Sequence, residues 1–403
     1  MKWFFLICLV FGFIGGIAFA AEPELSGVVD TTVNYTAGAG NAPEHSWGIE
    51  EYANLRLRVR TGEKAIFYAA FSLIAVSGNY LESAAMFGAL NQNPYLSTSP
   101  LVSGENYAAA LELERLYFRI NGDYADTEAG LLRMNFGYDQ IWGSSDFLNP
   151  RNPLFPNARP RGVLGANISF YPVDSLKLMG FLAAPKNPLE ARGGGFLPGF
   201  SLDQHWDRAS LQFLYAYETP GRASQNDGAL PGAAFYASGG NIHRFGLSVK
   251  ADLELGLVLD ALYTLNPAKN DGVDGLSAGI GFDYSFLGGD LFLLFEYLYC
   301  GKTSVSAIGY GGAWQNSNYL YGTALYRFND YCTLALSMVT CFDDWSFSPF
   351  ATLSYELFQG FSFNLNLRVP LDRKVFGGGE PGELGPTQTG ARFIADAGIK
   401  LRF

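Results

Sequence analysis

Arg56, Arg58 and Arg60 alternate with Leu55, Leu57 and Val59, so an extended backbone sets three guanidinium groups on one face and three aliphatic side chains on the other. Three like charges spaced roughly 7 Å apart repel unless acids answer them or a passing anion uses them. Asp30, on a neighbouring strand, is one candidate answer. A stripe that moves anionic solutes and a salt-bridged wall both fit this pattern. A second group, Glu112, Glu114, Arg115 and Arg119, falls where the alternation slips. The two acids share one parity and the two arginines share the other, with Tyr117. A β-bulge at Glu114 and Arg115 would bring all four charges to one face. Arg133 extends the set. A third group lies in the run from Trp142 through Asp146 to Arg151, continuing to Arg159 and Arg161, with prolines at 150, 153, 156, 160 and 172. Prolines keep such a segment extended. It either folds inward, setting Asp146 across an eyelet from Arg151, Arg159 and Arg161, or lies as a restrained surface loop.

None of these groups is arranged for catalysis. A hydrolase needs a nucleophile or activated water beside a base, and the only histidines are His45, His205 and His243. No glycine elbow surrounds His45-Ser46, Asp343-Asp344 has no histidine nearby in sequence, and no two histidines share a metal-binding spacing. The reading is a protein that is not an enzyme, with no metal site and no cofactor.

The elements that must carry these charges are amphipathic strands. From Thr389 to Phe403 one face reads Phe393, Ala395, Ala397, Ile399, Leu401, Phe403 and the other Arg392, Ile394, Asp396, Gly398, Lys400, Arg402. Segments of this kind recur near 25–36, 47–60, 65–77, 106–121, 127–139, 163–171, 175–184, 206–218, 241–252, 255–265, 273–286, 290–301, 318–328, 331–342, 346–357, 361–370 and 390–403. In 127–139, Leu132, Met134, Phe136 and Tyr138 oppose Arg133, Asn135, Gly137 and Asp139. Short turns such as Asn121-Gly122-Asp123 alternate with long connections at 78–105, 140–162, 185–205, 219–240, 302–317 and 371–389. An apolar face opposite a charged one, strand after strand, is the inside-out pattern of a transmembrane barrel. The fold class is therefore all-β: a single transmembrane antiparallel β-barrel with short periplasmic turns and long extracellular loops. Seventeen segments break the even number such barrels need. The long and short loops fall out of phase between 185 and 240. A hidden strand within Gly193 to Leu202, or near Phe235, gives eighteen; one segment split in error gives sixteen. Eighteen is preferred.

Ahead of the first strand, Lys2, the apolar run Trp3 to Ile17 and Ala18-Phe19-Ala20 read as a secretory signal peptide over residues 1–20, leaving a barrel over 21–403. Composition agrees: 48% hydrophobic, 16% charged and 15% aromatic, with 48 Gly for tight turns. The net charge of −11 argues against broad nucleic-acid binding. Cys300 and Cys341 fall on strands separated by a third, about 9–10 Å apart, too far for a disulfide. They and Cys332 are expected to be free, sheltered thiols.

The run Leu132-Arg133-Met134-Asn135-Phe136-Gly137, followed by Ile141-Trp142-Gly143-Ser144-Ser145-Asp146 and Asn149-Pro150, resembles a pattern in large bacterial outer-membrane porins. Phe393, Ile399, Leu401 and the terminal Phe403 resemble the assembly signal of such barrels. The resemblance implies a diffusion channel for small hydrophilic solutes in the outer membrane of a diderm bacterium. It also implies barrel-assembly machinery, periplasmic chaperones and outer-membrane lipid as partners, and a monomeric or trimeric state. The charged positions Arg56, Arg58, Arg60, Glu112, Glu114, Arg115, Arg119, Arg133, Asp146, Arg151, Arg159 and Arg161 are then the candidates for lining its pore, with a weak anion preference. A transporter for hydrophobic substrates and a surface adhesin or structural barrel are the alternatives.

Overall fold

The computed structural model describes residues 22–39, 44–79, 102–104, 106–149, 153–154, 162–184, 195–219, 241–267, 272–302, 314–375 and 377–403. Residues 1–20, and with them the signal-peptide reading, lie outside this set, as do Arg151, Arg159 and Arg161. Nineteen strands form one sheet: β1 (Glu22–Gly38), β2 (His45–Thr61), β3 (Ala65–Gly78), β4 (Val102–Ser103), β5 (Tyr107–Asn121), β6 (Ala125–Leu132), β7 (Val163–Val173), β8 (Leu176–Ala184), β9 (Leu197–Trp206), β10 (Ala209–Glu218), β11 (Ile242–Asp252), β12 (Gly256–Leu265), β13 (Leu276–Phe286), β14 (Leu291–Cys300), β15 (Asn318–Asn329), β16 (Cys332–Cys341), β17 (Ser346–Phe358), β18 (Phe361–Arg368) and β19 (Ala391–Arg402). β4 is a two-residue spur paired only with β5. The other eighteen pair antiparallel with their neighbours, and β1 closes on β19 from Val28↔Arg402 to Gly38↔Ala391. Closure leaves no sheet edge, the condition a spanning sheet must meet.

Alternation sorts the side chains. Val29, Leu55, Leu73, Phe118, Ile168, Leu182, Phe213, Leu247, Leu259, Phe282, Leu336 and Ile399 are all exposed on the outward parity. Glu51 also stands on that parity of β2, its carboxylate accepting from Thr31 Oγ1 at 2.7 Å. The bulge expected at Glu114 is present: Ala70 faces Arg115 while Phe71 faces Leu113, so Glu114 is the extra residue. Glu112, Glu114, Arg115 and Arg119 consequently all point inward.

Two strand assignments made from the sequence are corrected. The segment 206–218 starts at the last residue of β9 and is otherwise the Asp207-Arg208 turn and β10, and β9 is the strand expected within Gly193 to Leu202, so the connection read as 185–205 ends in a strand. It brings the wall to eighteen and puts the start of β1, the end of β19 and the turns of two to four residues, 342–345 excepted, at one end of the barrel. The segment 127–139 is not one strand. β6 stops at Leu132, which faces inward and is buried, and the chain then leaves the wall for the interior. Its alternating apolar residues were selected for a dry interior, not for the outside.

Cys300 and Cys341 sit on β14 and β16 with β15 between them, both free and buried, whereas Cys332 is half-buried.

Candidate functional site: an inserted loop and the wall it leaves open

The interior begins with lone acids on otherwise apolar inward faces. β14 turns Phe292, Leu294, Glu296, Leu298 and Cys300 inward, and β12 turns Val258, Asp260 and Leu262 inward. A carboxylate in such company needs donors. The loop after β6 supplies them from its backbone. Tyr138 N and Asp139 N donate to Asp260 at 2.8 and 2.7 Å, and Gln140 N and Ile141 N donate to the two oxygens of Glu296 at 2.7 and 2.9 Å. Gly137 N donates to Gln212 Oε1 on β10 at 2.7 Å, and Trp142 Nε1 to the Glu296 carbonyl at 3.0 Å. Gly137 adopts φ +85°, and a Cβ there would stand 2.5 Å from Asp260 Oδ2, so the approach requires glycine.

Within the loop, Asp139 Oδ2 accepts from Ser144 N at 2.6 Å, and Asp146 Oδ1 accepts from Asn149 N at 3.1 Å. Side chains then seal the contact. Leu132, Met134, Phe136, Phe147 and Leu148 pack on Phe181, Leu197, Leu214 and Leu262. Trp142 packs on Leu294, Leu298, Tyr319 and Val339. Arg244 lies over the Phe147 ring, 5.3 Å from its centroid, and is paired with Glu218 at 2.7 Å. Farther along, the carbonyl of Leu154 accepts from Arg368 Nη1 on β18 at 2.8 Å. The segment therefore crosses the barrel from β6 past β10, β12 and β14 to β18, making one side of the interior dry.

Of the eyelet expected around Asp146, the described residues include Asp146 alone. Asp146 is 0% exposed and serves as a cap inside the loop, because folding inward buried the turn it sits on. Its proposed counterparts Arg151, Arg159 and Arg161 lie outside the described residues.

The wall left open runs from β18 and β19 through β1, β2, β3 and β5 to β7, and it carries the remaining charges. Glu24, not Asp30, answers the ladder: it lies 3.4 Å from Arg58 and 3.5 Å from Arg60. Asp30 is taken by Lys400 at 3.0 Å, which the register Asp30↔Lys400 across the closing seam imposes. Arg119 pairs with Glu128. Arg133 Nε donates to Asn135 Oδ1 at 2.7 Å.

Two arginines on β2 and β5 have no ion pair among the described residues. Arg56 Nε donates to Asn54 Oδ1, and Arg115 makes no ion pair among the described residues. They flank Ala70, which faces both in register. The nearby carboxylate of Glu114 is held by the Tyr52 hydroxyl at 2.8 Å, by Asn54 Nδ2 at 3.2 Å and by the Ser72 hydroxyl. The result is a pair of guanidinium groups on the uncovered wall with no acid paired to them among the described residues.

A further cluster ties loops at the end of the barrel opposite Glu22 and Phe403. Asp344 Oδ1 accepts from Ser346 N at 3.0 Å and its Oδ2 from Glu383 N at 2.6 Å and Asn316 Nδ2 at 2.9 Å. Glu383 accepts from Gln315 N at 2.8 Å and from the Tyr319 hydroxyl. With Cys341 these acids bring three potential ligand atoms within 4.8 Å of one another. Their oxygens are already engaged by N–H and O–H donors, so the geometry serves as a latch between segments. Burial pushes the Glu383 carboxyl above its ordinary range. Burial also acts on Asp343, but donation from the Asn318 side chain and from Ser317 N and Asn318 N outweighs it and holds that carboxyl low.

Alternation alone does not identify Gln212 on β10, Asp260 on β12 and Glu296 on β14 as anchors. The available signal was an inward parity too apolar for a wet lumen, interrupted by single acids.

No protein-family model and no curated protein sequence matches this chain. Solved structures do. A BenF-like porin from Pseudomonas fluorescens Pf-5 aligns with a TM-score of 0.57 at 9% identity, covering 95% of this chain and 98% of its own. OccAB4 of Acinetobacter baumannii aligns with a TM-score of 0.55 at 9% identity over the same shares. A Rhodopseudomonas blastica porin variant gives 0.46 at 11% identity, covering 95% of this chain and 100% of its own. What the first two share with this chain over almost its whole length, at identities that speak only to fold, is the architecture of a porin barrel.

Proposed function

We propose that the protein is an outer-membrane channel through which small hydrophilic solutes diffuse passively, with a weak preference for anions. The carrying observation is a closed barrel whose exposed belt is apolar while a stretch of its inner wall, uncovered by the inserted loop, is charged. A continuous belt of this kind would aggregate in water and is stabilised by lipid. The anion preference rests on Arg56 and Arg115, which have no ion pair among the described residues, since fixed charge on a pore wall biases ion entry. The long connections would face outward and the chain ends the periplasm. Residues 1–20 would be the export signal, and the seam strand ending at Phe403 the part presented to the assembly machinery.

Refolded protein in a planar bilayer is expected to give stepwise conductance, with a reversal potential in a KCl gradient displaced toward chloride. Arg56→Gln with Arg115→Gln should move that potential toward potassium. A persistently silent bilayer overturns the channel, and an unmoved reversal potential overturns the role of the two arginines.

A further inference from the structure

Below the point where the loop leaves β6, the inner faces of β5 to β8 enclose a cavity of about 200 Å³. That is less than the roughly 300–1,000 Å³ of pockets for drug-sized ligands, so its occupant is a few atoms in size. Most of its charge is committed. Arg119 is held by Glu128, which also accepts from Asn167 Nδ2 at 3.0 Å, Asp126 accepts from the Tyr171 hydroxyl at 3.2 Å, and Arg133, a further cation in the lining, donates from Nε to Asn135 Oδ1 at 2.7 Å. Lys177 is different. It lines the cavity from β8 and has no hydrogen bond or ion pair among the described residues. Asp203, its partner in register on β9, is turned instead to the Ser201 hydroxyl at 3.1 Å and to Gln212.

We infer that this cavity is a binding subsite for small hydroxylated monocarboxylates, on the periplasmic side of the inserted loop. The inference rests on the channel reading above. One uncommitted ammonium matches one negative charge. Asp126 and Glu128 in the same lining repel a second, which favours a monocarboxylate over a phosphate or dicarboxylate. Asn135, Asn167 and Ser169 offer amide and hydroxyl groups that both donate to and accept from the solute's hydroxyls.

Glycerate is the probe, added to the periplasmic side of single channels carrying KCl current, with glycerol as the neutral control. Glycerate should reduce the current saturably and glycerol should not. Lys177→Gln should raise the half-blocking concentration, normalised to its own open current, by about tenfold, the loss expected for one charge-assisted hydrogen bond. Ser169→Ala, a smaller change, should weaken block in the same direction. Heat-modifiable migration verifies that each variant is folded. Block that is equal in wild type and both variants, that does not saturate, or that glycerol reproduces overturns the subsite. Should the bilayer stay silent, the channel reading fails separately. Saturation-transfer NMR of glycerate with the micelle-held protein then decides the subsite: a signal lost in Lys177→Gln supports it, and an equal signal or none in wild type overturns it.

Discussion

Glu296 and Asp260 show how much one inward-facing acid can organise. Between them they accept four backbone amides, and charge-assisted bonds contribute about 1.5–3 kcal/mol each. Glu296→Ala would leave the Gln140 and Ile141 amides without their acceptor beside an apolar cluster. The expected outcome, for this variant and more so with Asp260→Ala, is a loosened segment with higher and noisier single-channel conductance. An unchanged conductance would mean that the loop does not narrow the path. Asp343 allows a test at the level of a single titration. Its carboxyl is held low in the folded protein, so its contribution is present above the ordinary carboxylate value near 3.9 and is lost as pH falls through its lower folded value. Exchange of the Ser317 and Asn318 amides is therefore expected to speed up in that acid window, and to be fast at all pH in Asp343→Ala. Exchange that ignores pH in the wild type would remove Asp343 from the latch. The sequence showed at this scale which residues were charged and, on the strands, which way they pointed. It did not show Asp146 as buried, because an Asp among Ser, Asn and Pro looks solvated until the whole turn is carried inside. Nor did it pair Arg58 and Arg60 with Glu24, since pairing follows from the register between β1 and β2, which alternation alone leaves open.

Periodicity identified elements well wherever both faces met their usual environments. It failed at two places for different reasons. β9 begins in Leu197-Pro198-Gly199, where proline and glycine mask a strand, and only the even-number rule called for one there. Residues 133–139 alternate as a strand does, yet period 2 reports an extended backbone with one apolar side, not pairing to a neighbour. The bulge at Glu114 was legible because inward charges on opposite parities admit few other solutions. Deleting Glu114 should thus do more than remove an acid. With the register shift gone, either the segment before it or the segment carrying Arg115 and Arg119 must reverse faces. Lys or Arg on the lipid face costs about 2–4 kcal/mol at the midplane. Little heat-modifiable, folded barrel is expected from the deletion, whereas Glu114→Gln, which keeps the count of residues, should fold. Equal yields from the two would place the slip elsewhere.

The molecule as a whole is a barrel that is closed by one seam and half-filled by its own loop. Binary patterning conveyed the first property and concealed the second, because a loop's destination depends on acceptors contributed by strands more than a hundred residues away. The seam is where stability and assembly converge. Gly27 N donates to Phe403 O at 2.8 Å and Phe403 N to Gly27 O at 3.1 Å, so the final residue completes the β1–β19 ladder. The Phe403 ring lies over Gly27, and a Cβ there would also come within 2.8 Å of Asn54 O. The ring is 60% exposed, leaving it as a handle on the outer surface. These two roles separate experimentally. Phe403→Ala keeps the main-chain pair and removes the ring; removal of residue 403 deletes both. If the ring is what the assembly machinery reads, both variants should insert poorly in cells, while in vitro refolding into detergent should be close to normal for Phe403→Ala and slower for the truncation. Normal insertion of Phe403→Ala in cells would assign the end of β19 a closing role alone.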